Sequence, residues 1–161
     1  MILDNIIVRK AEYKDTDQIV PVLLDFYNIN DAEEAAQVFK TELKKDYHYI
    51  VAMENEKIIG LVTWIMHGLP KHGLFELDRI CLLSQSRGKG IGKKLVGALI
   101  KDASIWYERK GSTIRKLYLL THEENTNAHI FYEKVGFTHE TTLKDHYYND
   151  KAERVYTIFF P

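Results

Sequence analysis

This chain of 161 residues has few cysteines that could cross-link it and few prolines that could interrupt its helices and strands. It has a single cysteine, Cys81, so an internal disulfide framework is excluded. It has only three prolines, and no internal repeat or low-complexity tract marks a boundary between domains. We therefore expect one domain over residues 1–161, which is large enough to bury a hydrophobic core without the support of disulfide bonds or bound metals.

The chain also lacks long apolar runs and an excess of charge of one sign. It shows neither a run of 18 apolar residues nor a charged-then-apolar leader, which predicts no membrane partner and, with the lone cysteine, favours the cytoplasm. The formal net charge of −1 gives no general attraction for nucleic acid. None of the seven histidines has metal-binding spacing such as HExxH, so we expect no metal site.

What the chain does have is a basic, glycine-rich segment between an apolar run and an amphipathic helix. After the apolar run at 80–83, it reads Arg87-Gly88-Lys89-Gly90-Ile91-Gly92-Lys93. Three glycines in five positions let the backbone come close to a ligand. The following helix points unpaired N–H groups and the positive end of its dipole at the turn. The segment therefore predicts a phosphate site.

Spacing separates the kinds of phosphate-binding loop. A Walker loop needs two glycines five apart followed by Lys and then Ser or Thr. Gly88 and Gly92 are four apart, and Lys94 stands in the hydroxyl position. A dinucleotide fingerprint needs glycine where Lys93 stands. A nucleotide-binding protein is thus the weaker alternative, and the pattern that remains is Arg-x-x-Gly-x-Gly.

A second segment follows a predicted strand at 117–120. It contains Asn125, Ala128, the pair Phe131-Tyr132 and the run Lys134-Val135-Gly136-Phe137. In this order, the two segments resemble the cofactor site of the GNAT N-acetyltransferase superfamily. The resemblance implies that acetyl-CoA is bound by the loop residues 87–93 and by Ile80, Cys81, Leu82, Asn125 and Tyr132. Ser84 is a departure, because family members often have proline there.

The pattern of elements agrees with the fold that this resemblance implies. Hydrophobic periodicity predicts strands at 6–9, 47–53, 58–66, 74–83, 117–120, 138–143 and 154–160. Helices are predicted to begin near Asp15, Asp31, Ile91 and Asn125. We expect an α/β three-layer sandwich, with helices on both faces of a mixed sheet of about seven strands. The resemblance further implies that two strands splay apart, near Leu83 and Thr121, to admit the cofactor.

The pattern also predicts details of the first and third helices. Pro21 is tolerable only near the first turn of the first helix, whose apolar face would include Phe26 and Tyr27. On the third helix the predicted core face consists of Ile91, Leu95, Ala98, Leu99 and Trp106.

Acetyl transfer to an amine needs a group that accepts the amine's proton. Glu76 and Asp78 lie two apart on a predicted strand and so share a face; Glu76 is the preferred base, with Asp78 or a water relay as alternatives. Tyr132 lies four residues after Ala128, on the helix face toward the cofactor, so we expect it to protonate the departing thiolate. Cys81 has no basic partner in the sequence, which indicates a core residue rather than a nucleophile.

These residues favour an acetyl-CoA-dependent N-acetyltransferase that transfers an acetyl group directly to a primary amine in a ternary complex. The sequence leaves open whether the amine belongs to a small molecule, a polyamine or a protein, and whether the chain forms a homodimer. Acceptor contacts are expected from Asp25, Glu33, Glu34, Asp145, Tyr147 and Tyr148. The alternative from another class is a catalytically silent acyl-CoA-binding regulatory module on the same fold.

Overall fold

The computed structural model describes residues 5–26 and 28–161, and along these residues the chain forms seven strands and four α-helices in the predicted order. The strands are β1 (Ile6–Lys10), β2 (His48–Glu54), β3 (Lys57–His67), β4 (Leu74–Leu82), β5 (Lys116–His122), β6 (Thr138–Tyr148) and β7 (Lys151–Phe159). The helices are α1 (Thr16–Leu23), α2 (Ala32–Lys44), α3 (Ile91–Arg109) and α4 (Thr126–Lys134). Within the described ranges, none of these helices combines the length and apolar character needed to cross a membrane. The expected compartment stays a prediction.

The strands form one mixed sheet in the order β1-β2-β3-β4-β5-β7-β6, which confirms the predicted α/β class. β4 and β5 pair in parallel, joining Leu74 to Lys116, Phe75 to Leu117 and Glu76 to Tyr118. The pairs β1–β2, β2–β3, β5–β7 and β6–β7 are antiparallel. The expected separation of β4 from β5 beyond this ladder stays a prediction.

The chain divides into two compact units. The N-terminal unit comprises Met1–Ile65 and Arg79–Asp102, and the C-terminal unit comprises Met66–Asp78 and Ala103–Pro161. β3, β4 and α3 contribute residues to both units. The single-domain interpretation of residues 1–161 stays a prediction.

Apolar side chains of α1, α2 and the first strands form the core of the N-terminal unit. Phe39 of α2 and Tyr49 of β2 are fully buried, and their rings meet edge to face with centroids 4.9 Å apart. Burial of one such side chain stabilises the fold by about 1.5–3 kcal/mol. The same cluster includes Ile19, Val22, Leu23, Ala35, Val51, Ile58, Leu61 and Cys81.

Helix α1 differs from its prediction in two respects. Pro21 lies in the second turn rather than near the first, where it removes the backbone hydrogen bond that would reach Asp17. The helix ends at Leu23, so Phe26 follows the helix instead of continuing its apolar face. Tyr27 lies outside the described residues.

Helix α2 begins as its capping signal predicts. The Asp31 side chain accepts a hydrogen bond from the Glu34 N–H at 2.8 Å. Glu34 Oε2 accepts from the N–H of Asn30 at 3.0 Å, one residue earlier than in a capping box. Both carboxylates therefore satisfy backbone donors at the start of the helix.

An ion pair joins α2 to β4 inside the N-terminal unit. Arg79 pairs with Glu42, whose carboxylate also accepts a hydrogen bond from the Tyr49 hydroxyl. The two charged side chains are only 12% and 14% exposed, and the Arg79 guanidinium lies 5.4 Å from the centre of the Phe26 ring. The charges are thus paired where they are desolvated.

A histidine of β2 stacks on the tryptophan that faces it in β3. The rings of His48 and Trp64 lie 3.9 Å apart and almost parallel, and Trp64 Nε1 donates to Asp102 at 2.9 Å. Burial, together with the charge of Lys10, lowers the pKa of His48 to about 4. The neutral ring is therefore the form that the fold favours.

The C-terminal unit corrects the prediction for α3. Tyr107, not Trp106, is the fully buried aromatic residue near the end of this helix, and its hydroxyl donates to the Leu74 carbonyl at 2.6 Å. Tyr107 lies one helical step of four residues from buried Ala103, which places it on the core stripe. Trp106 is half-buried beside Lys110, whose ammonium lies 5.3 Å from the ring centre.

The closing hairpin is longer than predicted, because β6 continues to Tyr148 and β7 begins at Lys151. The turn between these strands lies at 149–150, with Asp150 in the left-handed region at φ 63°. The Asp145 carboxylate accepts from the Asp150 N–H at 2.8 Å, and this bond holds the turn.

Replacing His48 with phenylalanine should reduce the acid sensitivity of folding. Because the folded-state pKa is about 4 and the ordinary value is 6.5, the stabilisation is complete above pH 6.5 and is lost as pH falls toward 4. Phenylalanine keeps a flat ring against Trp64 but cannot be protonated. Urea unfolding at pH 7 and pH 5 should show a loss of stability that is smaller in the variant by on the order of 1 kcal/mol. The control is His139→Phe, at an exposed histidine; equal losses in wild type and His48→Phe would refute the assignment.

Candidate functional site

The glycine-rich loop lies in the N-terminal unit and leads directly into α3. Gly88 and Gly90 have φ values of 74° and 82°, which side chains other than glycine rarely adopt. A Cβ added at Gly88 would meet nothing within 4 Å, so the backbone there faces open space. The Lys94 N–H donates to the Gly90 carbonyl at 3.2 Å, and the N–H groups that precede it have no acceptor within the helix. Such a helix start can receive an anion.

Arg87 is tied to two groups of the same unit. Its Nε donates to the Leu82 carbonyl at 3.2 Å, and its Nη2 lies 3.2 Å from Asp25 Oδ2. The two side chains of the ion pair are 58% and 40% exposed, so the pair contributes about 1 kcal/mol or less. A phosphate, which a guanidinium binds through two parallel hydrogen bonds, can displace a pair of this strength.

The end of β4 supplies Ile80, Cys81 and Leu82. Cys81 is a free, buried cysteine in the core of the N-terminal unit, which confirms its expected place in the core. β3 approaches closely here, because a Cβ at Gly60 would lie 2.4 Å from Leu82 Cδ2. The Leu82 carbonyl already accepts the hydrogen bond from Arg87. The proposed role of these residues toward a cofactor stays a prediction.

The C-terminal unit contains both candidate bases. Along β4, buried Phe75 and Leu77 alternate with half-buried Glu76 and Asp78, so the two carboxylates share a face as predicted. Glu76 Oε1 lies 2.7 Å from His67 Nε2 and accepts a hydrogen bond from the Tyr118 hydroxyl at 3.3 Å. The Glu76 side chain is 13% exposed, against 36% for His67. We call His67, Glu76, Asp78 and Tyr118 the Glu76 cluster.

Tyr118 keeps its proton in this cluster. Burial is the main cause that raises the pKa of its hydroxyl above the usual value, and the charge and hydrogen bond of Glu76 raise it further. Tyr147 and Asp78 contribute in the same direction. The hydroxyl is therefore a donor to Glu76 throughout the physiological pH range.

Helix α4, in the same unit, contains the second predicted segment. Asn125 caps it, accepting a hydrogen bond from the Ala128 N–H at 3.2 Å. Tyr132 is 8% exposed, and its ring lies among those of Phe131, Phe137 and Tyr156. Gly136 follows the helix with a φ of 110°, and the Phe137 N–H returns to the Tyr132 carbonyl at 2.9 Å, which caps the end of the helix.

The residues expected to contact the acceptor are divided between the units. Asp25 pairs with Arg87, whereas Glu33 and Glu34 line a depression of about 580 Å³ along α2. In the C-terminal unit, Tyr147 and Tyr148 are exposed on the closing hairpin. None of these positions by itself identifies an acceptor.

The histidines bond mainly to single neighbours. His122 Nδ1 lies 2.6 Å from Glu153, which is almost completely buried, and His129 Nε2 lies 3.0 Å from the His122 carbonyl. Among residues 5–26 and 28–161, no group of three or more His, Cys, Asp or Glu side chains is placed to hold a metal ion.

The predicted site residues are divided between the two units. The loop residues 87–93 accompany Ile80, Cys81 and Leu82 in one unit, and Glu76 and Asp78 accompany Asn125 and Tyr132 in the other. Sequence reasoning missed His67 and Tyr118. Tyr118 could have been found from the parallel register that sets it beside Glu76, whereas His67 had no motif.

Comparison with known proteins gives the family. Residues 45–139 match the family model described as an acetyltransferase (GNAT) domain. The spermine/spermidine N(1)-acetyltransferase of Bacillus subtilis (strain 168) is 34% identical over 100 residues, covering 58% of this chain and 62% of that protein. The chain therefore spans about six tenths of the length of this relative.

Two further proteins extend the comparison. The ribosomal protein bS18 alanine N-acetyltransferase of Haemophilus influenzae is 29% identical over 131 residues, covering 77% of this chain and 82% of that protein. The crystal structure of an aminoglycoside 6′-N-acetyltransferase complexed with coenzyme A has a TM-score of 0.78 at 18% identity, covering 96% of this chain and 98% of that one, and so shares the fold. Because the family model alone covers more than half of the residues, the chain belongs to the GNAT acetyltransferase family.

Proposed function

We propose that this protein transfers an acetyl group from acetyl-CoA to a primary amine. The observation that carries the proposal is the loop at 87–93, where two left-handed glycines lead into a helix start whose N–H groups lack helical acceptors. We also propose that both units work as one domain over 1–161, because the family match at 45–139 includes residues of each.

The described residues fit the parts of acetyl-CoA that the protein has to hold. The start of α3, with Arg87, Lys89 and Lys93, suits the pyrophosphate, because it offers backbone donors and exposed positive charge. The backbone of Ile80, Cys81 and Leu82 suits the amides of the pantetheine arm, and Asn125 adds a side-chain amide. When bound, acetyl-CoA supplies the acetyl group as an activated thioester.

Glu76 is the proposed proton acceptor. An amine with a pKa near 10 is mostly protonated at neutral pH, so it must lose a proton before its lone pair can attack. The Glu76 carboxylate is largely shielded from water, and two hydrogen-bond donors hold it in place. A base that accepts a proton from an incoming ammonium group needs such a fixed position. Asp78, on the same face, or a water molecule is the reserve candidate.

Tyr132 is the proposed proton donor to the departing thiolate. A phenol, with a reference pKa near 10, is protonated at neutral pH and can donate as charge develops on a sulfur whose thiol has a reference pKa near 8.5. The ring of Tyr132 is fixed by three aromatic neighbours, which limits the positions of its hydroxyl. Cys81 is proposed to have no covalent role, because it belongs to the core.

For the acceptor, we propose a cationic amine of the polyamine class. The support is the similarity to a spermine/spermidine N(1)-acetyltransferase and the pair of carboxylates at 76 and 78, which attract an ammonium group. A protein amino terminus is the second class to be tested, since another relative is a bS18-alanine N-acetyltransferase.

Ligand-dependent stability and CoA release test the proposed function. Acetyl-CoA or CoA at a hundred times its dissociation constant should stabilise the protein by about 2.7 kcal/mol, and ATP should do much less. CoA release should then be measured with spermidine, spermine and a peptide that begins with alanine. Stabilisation without release for any amine would indicate a silent acyl-CoA-binding module, and a lack of stabilisation would refute the proposal.

The loop backbone should matter more for cofactor affinity than any single lysine. Gly90→Val should weaken acetyl-CoA binding at least tenfold, because a branched side chain strains the left-handed backbone and blocks close approach of a ligand. Lys89→Ala removes one exposed charge and should cost about 1 kcal/mol or less. Gly111→Val is the matched control, because Gly111 has a φ of 75°, faces open space and lies outside the loop. Calorimetric titration measures each affinity; normal binding by a folded Gly90→Val would contradict the loop assignment.

Tyr132→Phe should lower turnover by about a hundredfold while leaving acetyl-CoA affinity intact, because it keeps the ring and removes the hydroxyl that carries the acidic proton. Steady-state rates with an accepted amine measure the effect. Tyr107→Phe is the matched control, since it removes the hydroxyl of a different buried tyrosine, which bonds to the Leu74 carbonyl. Turnover near that of the wild type in Tyr132→Phe would exclude Tyr132 as the proton donor.

A further inference from the structure

His67 contacts the proposed base, although no predicted motif includes it. Its Nε2 lies 2.7 Å from Glu76 Oε1, and its ring centre lies 5.5 Å from that of Tyr118. All three residues belong to the C-terminal unit. His67 therefore contacts both Glu76 and Tyr118 within the Glu76 cluster.

The backbone that carries His67 is closely constrained. His67 is the last residue of β3 and is followed by Gly68, which has a φ of 67°. A Cβ at Gly68 would lie 2.5 Å from His72 Nδ1, and the same nitrogen accepts a hydrogen bond from the Leu69 N–H at 2.9 Å. A compact turn thus fixes the direction in which the His67 ring leaves the strand.

Both donors reach one oxygen of the Glu76 carboxylate. His67 and the Tyr118 hydroxyl bond to Oε1, whereas in the part of the chain that the structure describes no hydrogen bond to Oε2 is seen. Two donors on one oxygen fix the rotation of the carboxylate and leave the second oxygen for another partner. Since Tyr118 remains protonated, it cannot take the proton that Glu76 accepts.

We propose that His67 is a positioning residue for acetyl transfer, which donates from Nε2 to Glu76 Oε1 and so presents Oε2 to the ammonium group of the acceptor. This inference rests on the proposed function. One N–H bond of the ammonium breaks, its proton forms an O–H bond at Oε2, and the electron pair stays on nitrogen for the attack. Glu76 becomes a neutral acid and later returns the proton to water.

Magnitudes favour positioning over a relay through the imidazole ring. A neutral carboxylic acid loses its proton to water far faster than a typical turnover of about 10 per second. A second base would therefore accelerate nothing. A hydrogen bond to a charged group contributes about 1.5–3 kcal/mol, which corresponds to roughly 10- to 150-fold in rate if the orientation depends on it.

A double-mutant cycle on His67 and Glu76 tests the inference. We expect His67→Leu to lower kcat for an accepted amine about tenfold, with the KM for acetyl-CoA unchanged. His67→Gln keeps an N–H donor at similar reach and should stay within about threefold of wild type. In a Glu76→Gln background, His67→Leu should change kcat by no more than about twofold, because the group through which it acts is already lost.

Two controls separate this role from a loss of structure. His139→Leu removes an exposed histidine of the same unit, whose Nε2 contacts the Thr141 carbonyl at 3.0 Å, and should leave kcat unchanged. Thermal stability and acetyl-CoA affinity are measured for every variant. If His67→Leu does not fold, Tyr118→Phe replaces it in the cycle, because it removes the other donor to Oε1.

Each result decides between the inference and its rivals. Equal losses from His67→Leu in both backgrounds would show that His67 acts on structure and would overturn the inference, as would a His67→Gln variant as slow as His67→Leu. If the protein binds acetyl-CoA but acetylates no amine, the proposed function fails and the inference fails with it. If amines are acetylated and the losses are additive, the inference alone fails.

Discussion

Burial of Phe75 and Leu77 on one face of β4 is the constraint that orients the candidate catalytic groups. Both side chains are almost completely buried, and Phe75 packs near the rings of Tyr107 and Phe160. Because side chains alternate along a strand, a slip of one residue would expose both apolar groups and bury two carboxylates in their place. Apolar burial stabilises the observed register by about 1.5–3 kcal/mol per side chain, and burial of unpaired charge opposes the alternative. The core thus determines where Glu76 and Asp78 point.

The next residue of β4 serves the other unit. The alternation of buried and half-buried positions stops at Arg79, whose N–H donates to Thr63 Oγ1 at 3.0 Å. Its guanidinium pairs with Glu42 in a shielded position, where loss of one partner would leave a buried charge at a cost of about 3–5 kcal/mol. Asp78 and Arg79 are adjacent in sequence but contact different groups: Asp78 belongs to the Glu76 cluster, whereas Arg79 forms an ion pair with α2.

The sequence was sufficient for the class of fold, the order of elements and the placement of most residues. Periodicity of two or about four residues, together with the capping signals at Asp31 and Asn125, located the strands and helices because these signals act over short distances. The errors came from tertiary contacts. Trp106 and Tyr107 are adjacent aromatic residues, and in the structure it is Tyr107 that is buried, with its hydroxyl bonded to the Leu74 carbonyl of another strand. The pairing of His67 with Glu76 depends on the turn that joins two strands, and no local pattern reports such a pair.

The cap of α4 has a consequence for what else Asn125 can do. Its side-chain oxygen accepts a hydrogen bond from the Ala128 N–H, and its other polar group is the amide nitrogen, which can only donate. A carboxylate would cap this helix equally well, and its negative charge would also interact favourably with the positive end of the helix dipole. Helix stability therefore does not explain why an amide stands at this position. The Asn125 side chain has both an oxygen that accepts a hydrogen bond from the helix and a nitrogen that can donate one to a neighbouring acceptor.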